Sequence, residues 1–239
     1  VIESTKLYFR ARVTDDDNTK QRIFEVDLSP LARDQPLVVK ICPATIPFMF
    51  SSTIAYRNSA YNLGRFEKDL SVDAYDLNQV ETKLSTVRVH FMADNPDYDW
   101  ECHNFLSAKV IRQRHLILGY GLYNGQDSRH DAAVVSFKID RNGGLSNPNV
   151  LFLGDHYHPR LQWITQKDLP LGLLTSADHV NGSTRVQIII FYKSKLSSVL
   201  TLNHPEMISD ICTKAKNRGF IGMRMYSTPP ECFNIAIKL

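Results

Sequence analysis

Asp155, His156 and His158 stand close together in the stretch Gly154–Arg160, directly behind the apolar run Asn149–Leu153. On a strand, residues two apart share a face, so the two imidazoles would point the same way. Two imidazoles and a carboxylate are ligands of the type that zinc and related ions take. A metal-assisted hydrolase using the His156/His158 pair with Asp155 is therefore one reading. Two features oppose it. The stretch after His158 supplies no glutamate to complete a ligand set, and Pro159 ends easy strand pairing. The favoured reading is a hydrogen-bonded histidine pair where a strand enters a loop, with no metal and no other cofactor. His179 and His204 are candidate distant ligands that no spacing ties to this place.

A second cluster lies at Asp97, Asp99, Glu101 and His103, which alternate with Tyr98, Trp100 and Cys102. If extended, the acidic residues share one face. That would suit a divalent cation or a carboxylate pair for acid–base work. The same alternation describes an edge strand with a charged outer face and an aromatic inner one, and the aromatics favour that description.

Lys109, Arg112 and Arg114 form the basic run Lys109–His115, and a second basic run covers Thr213–Arg218. Either could touch phosphate. The net charge of +3 and the pI near 8.6 are mild, whereas a dedicated nucleic-acid binder concentrates its basic charge. A nucleic-acid-binding β domain stays a weaker alternative. The glycines of Gly119–Gly125 are spaced GxGxxxG with no helix pattern after them, so nucleotide binding through that segment is not expected. Walker, HExxH and GxSxG motifs are absent from the sequence.

A fourth candidate is Tyr56, Arg57, Tyr61, Arg65 and Phe66, within a Ser-, Asn- and Tyr-rich segment spanning 43–66. Tyr and Arg are enriched where proteins contact one another. The segment shows no clean period and reads as an ordered but irregular excursion. Residues 51–66 are accordingly expected to form a contact surface, most simply with another copy of the chain.

The elements that would position these groups are mostly strands. Leu7, Phe9, Ala11 and Val13 alternate with polar residues, as do Ala133, Val135, Phe137 and Ile139, and Phe233, Ile235, Ile237 and Leu239. Phe24, Val26 and Leu28 are expected inward. Ile188–Phe191 is apolar on both faces and predicts a central strand. Asn-Gly pairs at 142–143 and 181–182 predict tight turns. The clearest helix signal is 205–218: Pro205 at the first position, Glu206 near the positive end, Lys214, Lys216 and Arg218 near the negative end, and Gly219 as cap. Met207, Ile208, Ile211 and Cys212 would form its apolar stripe. Short helices are expected near 30–33 and at 74–84, the latter from Leu77, Val80 and Leu84.

The 239 residues are 43% hydrophobic, ample for a core, and show no repeat or low-complexity linker. The expectation is one mainly β domain over 1–239, an antiparallel β-sandwich or jelly-roll-like fold. Cys42, Cys102, Cys212 and Cys232 lie far apart and form no CxxC pair, which mildly favours a reducing intracellular setting or a viral particle. No apolar run reaches the roughly 18–20 residues of a membrane span. No secretory leader pattern is present, and Val1 in place of methionine reads as a processed or truncated start. The leading functional expectation is a non-enzymatic structural or interaction protein that forms homo-oligomers or a larger assembly, with a coat or capsid subunit as one form of it.

Overall fold

The computed structural model describes residues 6–15, 18–30, 36–46, 52–80, 82–91, 100–112, 114–125, 129–155, 157–166, 169–178, 182–205, 208, 210–213, 220–224 and 231–235. The chain is mainly β, with several antiparallel sheets packed on one another. The first sheet holds β1 (Lys6–Asp15), β2 (Asn18–Asp27) and β3 (Val38–Ile46). The second holds β4 (Thr53–Tyr56), β5 (Ser59–Phe66), β6 (Asp69–Asp76) and β7 (Lys83–Val89). The third is β8 (Trp100–Ile111), β9 (His115–Asn124), β10 (Arg129–Ile139) and β11 (Leu145–Asp155). The fourth is β12 (Arg160–Gln166), β13 (Leu169–Asp178), β14 (Ser183–Tyr192) and β15 (Lys195–His204). The last is β16 (Asp210–Thr213), β17 (Phe220–Arg224) and β18 (Glu231–Ile235). Within every sheet the spatial order equals the chain order. The packed-sheet, sandwich-like architecture is therefore reached by up-and-down meanders, not by the Greek-key crossings of a jelly roll.

The chain groups into two compact units, one of residues 1–90 with 138–146, the other of 91–137 with 147–239. In the second unit the fourth sheet is a middle layer. Leu161, Trp163, Leu174, Ile189 and Phe191 pack with Ile117, Ala132 and Val134 of the third sheet. Ile164, Leu171, Leu173, Val186 and Ile188 pack with Ile211 and Phe220 of the last. Successive residues of β14 thus enter two different cores, which is why Ile188–Phe191 is apolar throughout. Close approach of strands demands small residues. A Cβ at Gly172 would lie 2.9 Å from the Trp163 ring, and one at Gly119 would lie 2.3 Å from Leu161 Cδ2.

In the first unit, Tyr8, Ile23, Cys42 and Ala44 of the first sheet pack against Ala55, Ala60, Tyr75 and Leu77 of the second. Tyr8 Oη lies 2.9 Å from Glu25 Oε2 and 3.1 Å from the Arg57 carbonyl, and so pins the two hairpins together. The tight turn at 141–144 is present, closed by Gly143 N donating to the Asp140 carbonyl at 3.0 Å. Gly143 has φ 90°, and a Cβ there would sit 1.9 Å from Ser59 Oγ.

Several expectations are corrected. The helix over 205–218 is not formed in its described part: Asp210–Thr213 is strand β16, paired with Phe220–Met223. Ile208 and Ile211 are buried as expected, but Cys212, which a helical stripe would bury beside Ile211, is exposed. β-branched Ile208, Ile211 and Thr213 suit a strand, and the sheet below supplies the packing that overrides the cap signals. The described residues of 74–84 are not a helix but the β6–β7 hairpin. Asp76 Oδ1 accepts from Asn78 N at 2.8 Å and makes the turn, Leu77 is buried, and Val80 is exposed. Near 30–33, only Ser29–Pro30 is described, as a 3₁₀ turn fixed by Ser29 N donating to Asp27 Oδ1 at 2.9 Å. The described part of 43–66 is not irregular: it is the end of β3 and the hairpin β4–β5. On β1 the core-facing side carries Tyr8, while Leu7 is half exposed.

Candidate functional site

The histidine pair divides. Asp155 ends β11 with its side chain outside the described residues, and His156 also lies outside them. His158 is exposed, with φ 48°. Its ring lies 4.3 Å from Tyr157 and 6.1 Å from His130, and His130 in turn lies 4.7 Å from Tyr157 and 5.1 Å from Tyr123. This is a cluster of rings, mostly tilted or edge-to-face, at the end of the third sheet. Among the described residues, no three His, Cys, Asp or Glu side chains come together as metal ligands would. Nothing in the described part of the stretch favours hydrolytic chemistry.

Asp97 and Asp99 lie outside the described residues, as does the side chain of His103. Glu101 sits on β8 opposite Tyr123. His179 is likewise outside, and His204 ends β15 opposite Thr184. Gly119–Gly125 is the buried strand β9 and its following turn, where Gly119 serves the packing of Leu161, so it is not a phosphate loop. Lys109 lies on β8 opposite Ile117, whereas Arg112 and Arg114 sit exposed in the β8–β9 turn.

Tyr56, Arg57, Tyr61, Arg65 and Phe66 are placed on hairpin β4–β5, and they separate into core and surface. Tyr61 is fully buried, and burial pushes its phenol up to about 12. It belongs to the interior of the chain. Tyr56 is half-buried under the Arg57 guanidinium, 5.6 Å from its ring centroid. Arg57 occupies the turn with φ 53°. Arg65 Nε donates to the Glu67 carbonyl, and Phe66 is exposed beneath Arg88, whose guanidinium lies 3.7 Å from the ring centroid. Cations already cover the exposed rings.

A group of exposed apolar residues lies elsewhere, on the first sheet. β3 pairs with β2 through Val38↔Asp27, Val39↔Val26, Lys40↔Glu25 and Ile41↔Phe24. Among the described residues its other edge has no strand. Val38 is 66% exposed, Val39 54% and Ile41 57%, and Leu37 and Leu7 are also exposed. Leu7, Val39 and Ile41 share the face opposite Tyr8 and Cys42, as the registers of β1, β2 and β3 require. On that face Val26, between Leu7 and Val39, is buried at 6% exposure, so the exposed apolar groups are Leu7 on one side and Val39 and Ile41 along the β3 edge. Other outer strands carry blocking features: Lys83 and Arg88 on β7, Pro148 on β11, and on β15, which also exposes Val199, Leu200 and Leu202, a bulge opposite Ile188/Ile189 with Ser197, Ser198 and Thr201. β3 has Lys40 within Val38–Ile41, and Pro43 with an irregular register opposite Arg22/Phe24 beyond it. The signal was present in the sequence, since Val38, Val39 and Ile41 make the run apolar on both faces.

Polar groups on the covered side steady this sheet. Lys6 Nζ lies 2.8 Å from Glu25 Oε1. The hydrogen bond from Lys6 holds the Glu25 carboxyl below its usual range, helped by Tyr8 and by the charge of Lys40. Burial, then the bond to Glu25, raises the Tyr8 phenol far above its usual value. Burial pushes the Cys42 thiol up as well.

No helix among the described residues is long and apolar enough to cross a membrane. No protein-family model matches the chain, and no curated protein does. Among solved structures, the chain is similar to an endo-arabinase from Bacteroides thetaiotaomicron, with 11% identity over 98% of this chain and 90% of that one and a TM-score of 0.39. A likeness that loose carries no argument about function.

Proposed function

We propose that the protein is a non-enzymatic interaction protein that self-associates through the outer face and free edge of its first sheet. The exposed apolar residues Val39 and Ile41 on one face of β3 and Val38 on the other, along a strand with one partner among the described residues, carry this reading. An edge of this kind is a template for another strand. A second copy fits it in one register. Antiparallel pairing centred on Val39 sets Val39 against its own mate and Leu37 against Ile41, an apolar ladder. It also sets Lys40 against Val38. Centring on Lys40 would oppose two like charges, which destabilises a sheet.

The magnitude is modest. Full burial of one Val, Leu or Ile contributes about 1.5–3 kcal/mol, while association costs on the order of 4–15 kcal/mol. A few half-exposed side chains per copy therefore support a weak, concentration-dependent dimer. Light scattering coupled to size separation, run over a concentration series, tests this. The wild-type chain is expected to double in mass as concentration rises, and Val39→Lys is expected to stay single with an unchanged thermal midpoint. A wild-type chain that stays single at every concentration overturns the proposal, as does a Val39→Lys variant that still dimerises.

A further inference from the structure

We infer a second binding site in the second unit, a cleft for a small organic phosphate with a planar ring. It is independent of the self-association surface. The turn between β8 and β9 brings Arg112 and Arg114, and the turn between β14 and β15 brings Lys193, to a cavity of about 570 Å³. That volume falls within the range of small-molecule sites, roughly 300–1,000 Å³. His115, Phe191 and Tyr192 also line it, with His115 and Phe191 rings 5.0 Å apart. Leu169 and Pro170 add apolar surface. None of the described lining residues is acidic. Among the described residues no carboxylate pairs with Arg112, Arg114 or Lys193, and Lys193 rests over Tyr192 at 5.4 Å.

The backbone supplies an independent observation. The described chain holds seven non-glycine residues with positive φ, and three of them, Arg112 at 46°, Lys193 at 48° and Ser194 at 63°, line this one cleft. Lys193 and Ser194 form a two-residue hairpin turn between Tyr192 and Lys195, where Gly or Asn would carry no comparable strain. Of the three long cationic side chains held in a glycine conformation, Arg57, Arg112 and Lys193, two meet at this cleft, where their charge has a common target. Guanidinium forks match pairs of phosphate oxygens, and an ammonium adds a point charge. The aromatic and apolar lining suits a flat ring attached to that phosphate. The cations select an anion, and the lining selects one with a body.

Isothermal titration of the full chain with adenosine monophosphate, inorganic phosphate and adenosine tests the site. The nucleotide is expected to bind tightest, with phosphate and adenosine each weaker. Arg114→Glu and Lys193→Glu are expected to weaken the nucleotide by about ten-fold or more while leaving the fold intact, because both side chains are exposed. Lys193→Gly separates binding from structure. It is expected to bind more weakly and to melt no lower than wild type, since glycine relieves the turn. The site is refuted if the nucleotide does not bind, if these variants bind it as well as wild type, or if only a long single-stranded RNA binds.

Discussion

β14 and β3 occupy the same place in their sheets, third in chain order, and have similar composition, yet their surroundings are opposite. β14 has a strand on each side and a sheet on each face, and Val186, Ile188, Ile189 and Phe191 are all buried. Among the described residues β3 has one strand beside it and one sheet below it, and Val38, Val39 and Ile41 are more than half exposed. An apolar run on both faces therefore records a demand for cover. It does not say whether the chain itself or something else supplies the cover.

The comparison can be broken most sharply on β14. Ile189→Asp places an unpaired charge between two sheets and is expected to cost more than about 4 kcal/mol, enough to leave little folded protein in a urea melt. Val39→Asp, the equivalent change on β3, is expected to move stability by no more than about 0.5 kcal/mol. Equal losses at the two positions would mean that β3 is covered within a single chain. Smaller in effect is Leu173→Ala, which opens a cavity against Ile188 and Ile211 and is expected to cost about 2–5 kcal/mol. Ile211→Asp and Cys212→Asp extend the test to β16. Strand alternation predicts a large loss for the first and almost none for the second, whereas a helical stripe would penalise both.

The same contrast shows what could be read from residue order. Alternation located most strands, the Asn142–Gly143 turn and the double-faced run in β14, because period and turn chemistry are local. The 205–218 helix failed because its cap signals are also local, while the decisive partners, such as Thr184 Oγ1 accepting from Ile208 N at 2.7 Å, come from a distant strand. The 74–84 helix failed for the reverse reason: the Asp76 turn is local, but its residues also fit a helical spacing. Of the proposed contact residues, Tyr61 proved to be core, because polar neighbours such as Asn62 and Ser59 are themselves buried in β5 and disguised the strand. The basic cleft was half legible. Arg112 and Arg114 stand out in the sequence, but Lys193 joins them only through the approach of two hairpin turns.

The smallest expected effect concerns acid. Glu25 lies opposite Lys40 across β2 and β3 and is bonded to Lys6. Its folded-state value is depressed, so the stability it contributes is present above the unperturbed carboxylate value of about 4.3 and is lost as pH falls through the lowered folded value. Lys6 is 43% exposed at its side chain and Glu25 19%, so solvent screening limits the loss to about 1 kcal/mol or less. Protonating Glu25 also leaves Lys40, the one charge on the β3 edge, without its opposite. In the register centred on Val39, that charge would sit against Val38 of a second copy with no carboxylate nearby to offset it. Self-association is therefore expected to weaken modestly below pH 4, and a Glu25→Gln chain is expected to show the weaker association already at neutral pH. A sedimentation series at both pH values reads this directly. Association that is indifferent to pH in the wild type and unchanged in Glu25→Gln would place Lys40 away from the contact and remove β3 pairing as its geometry.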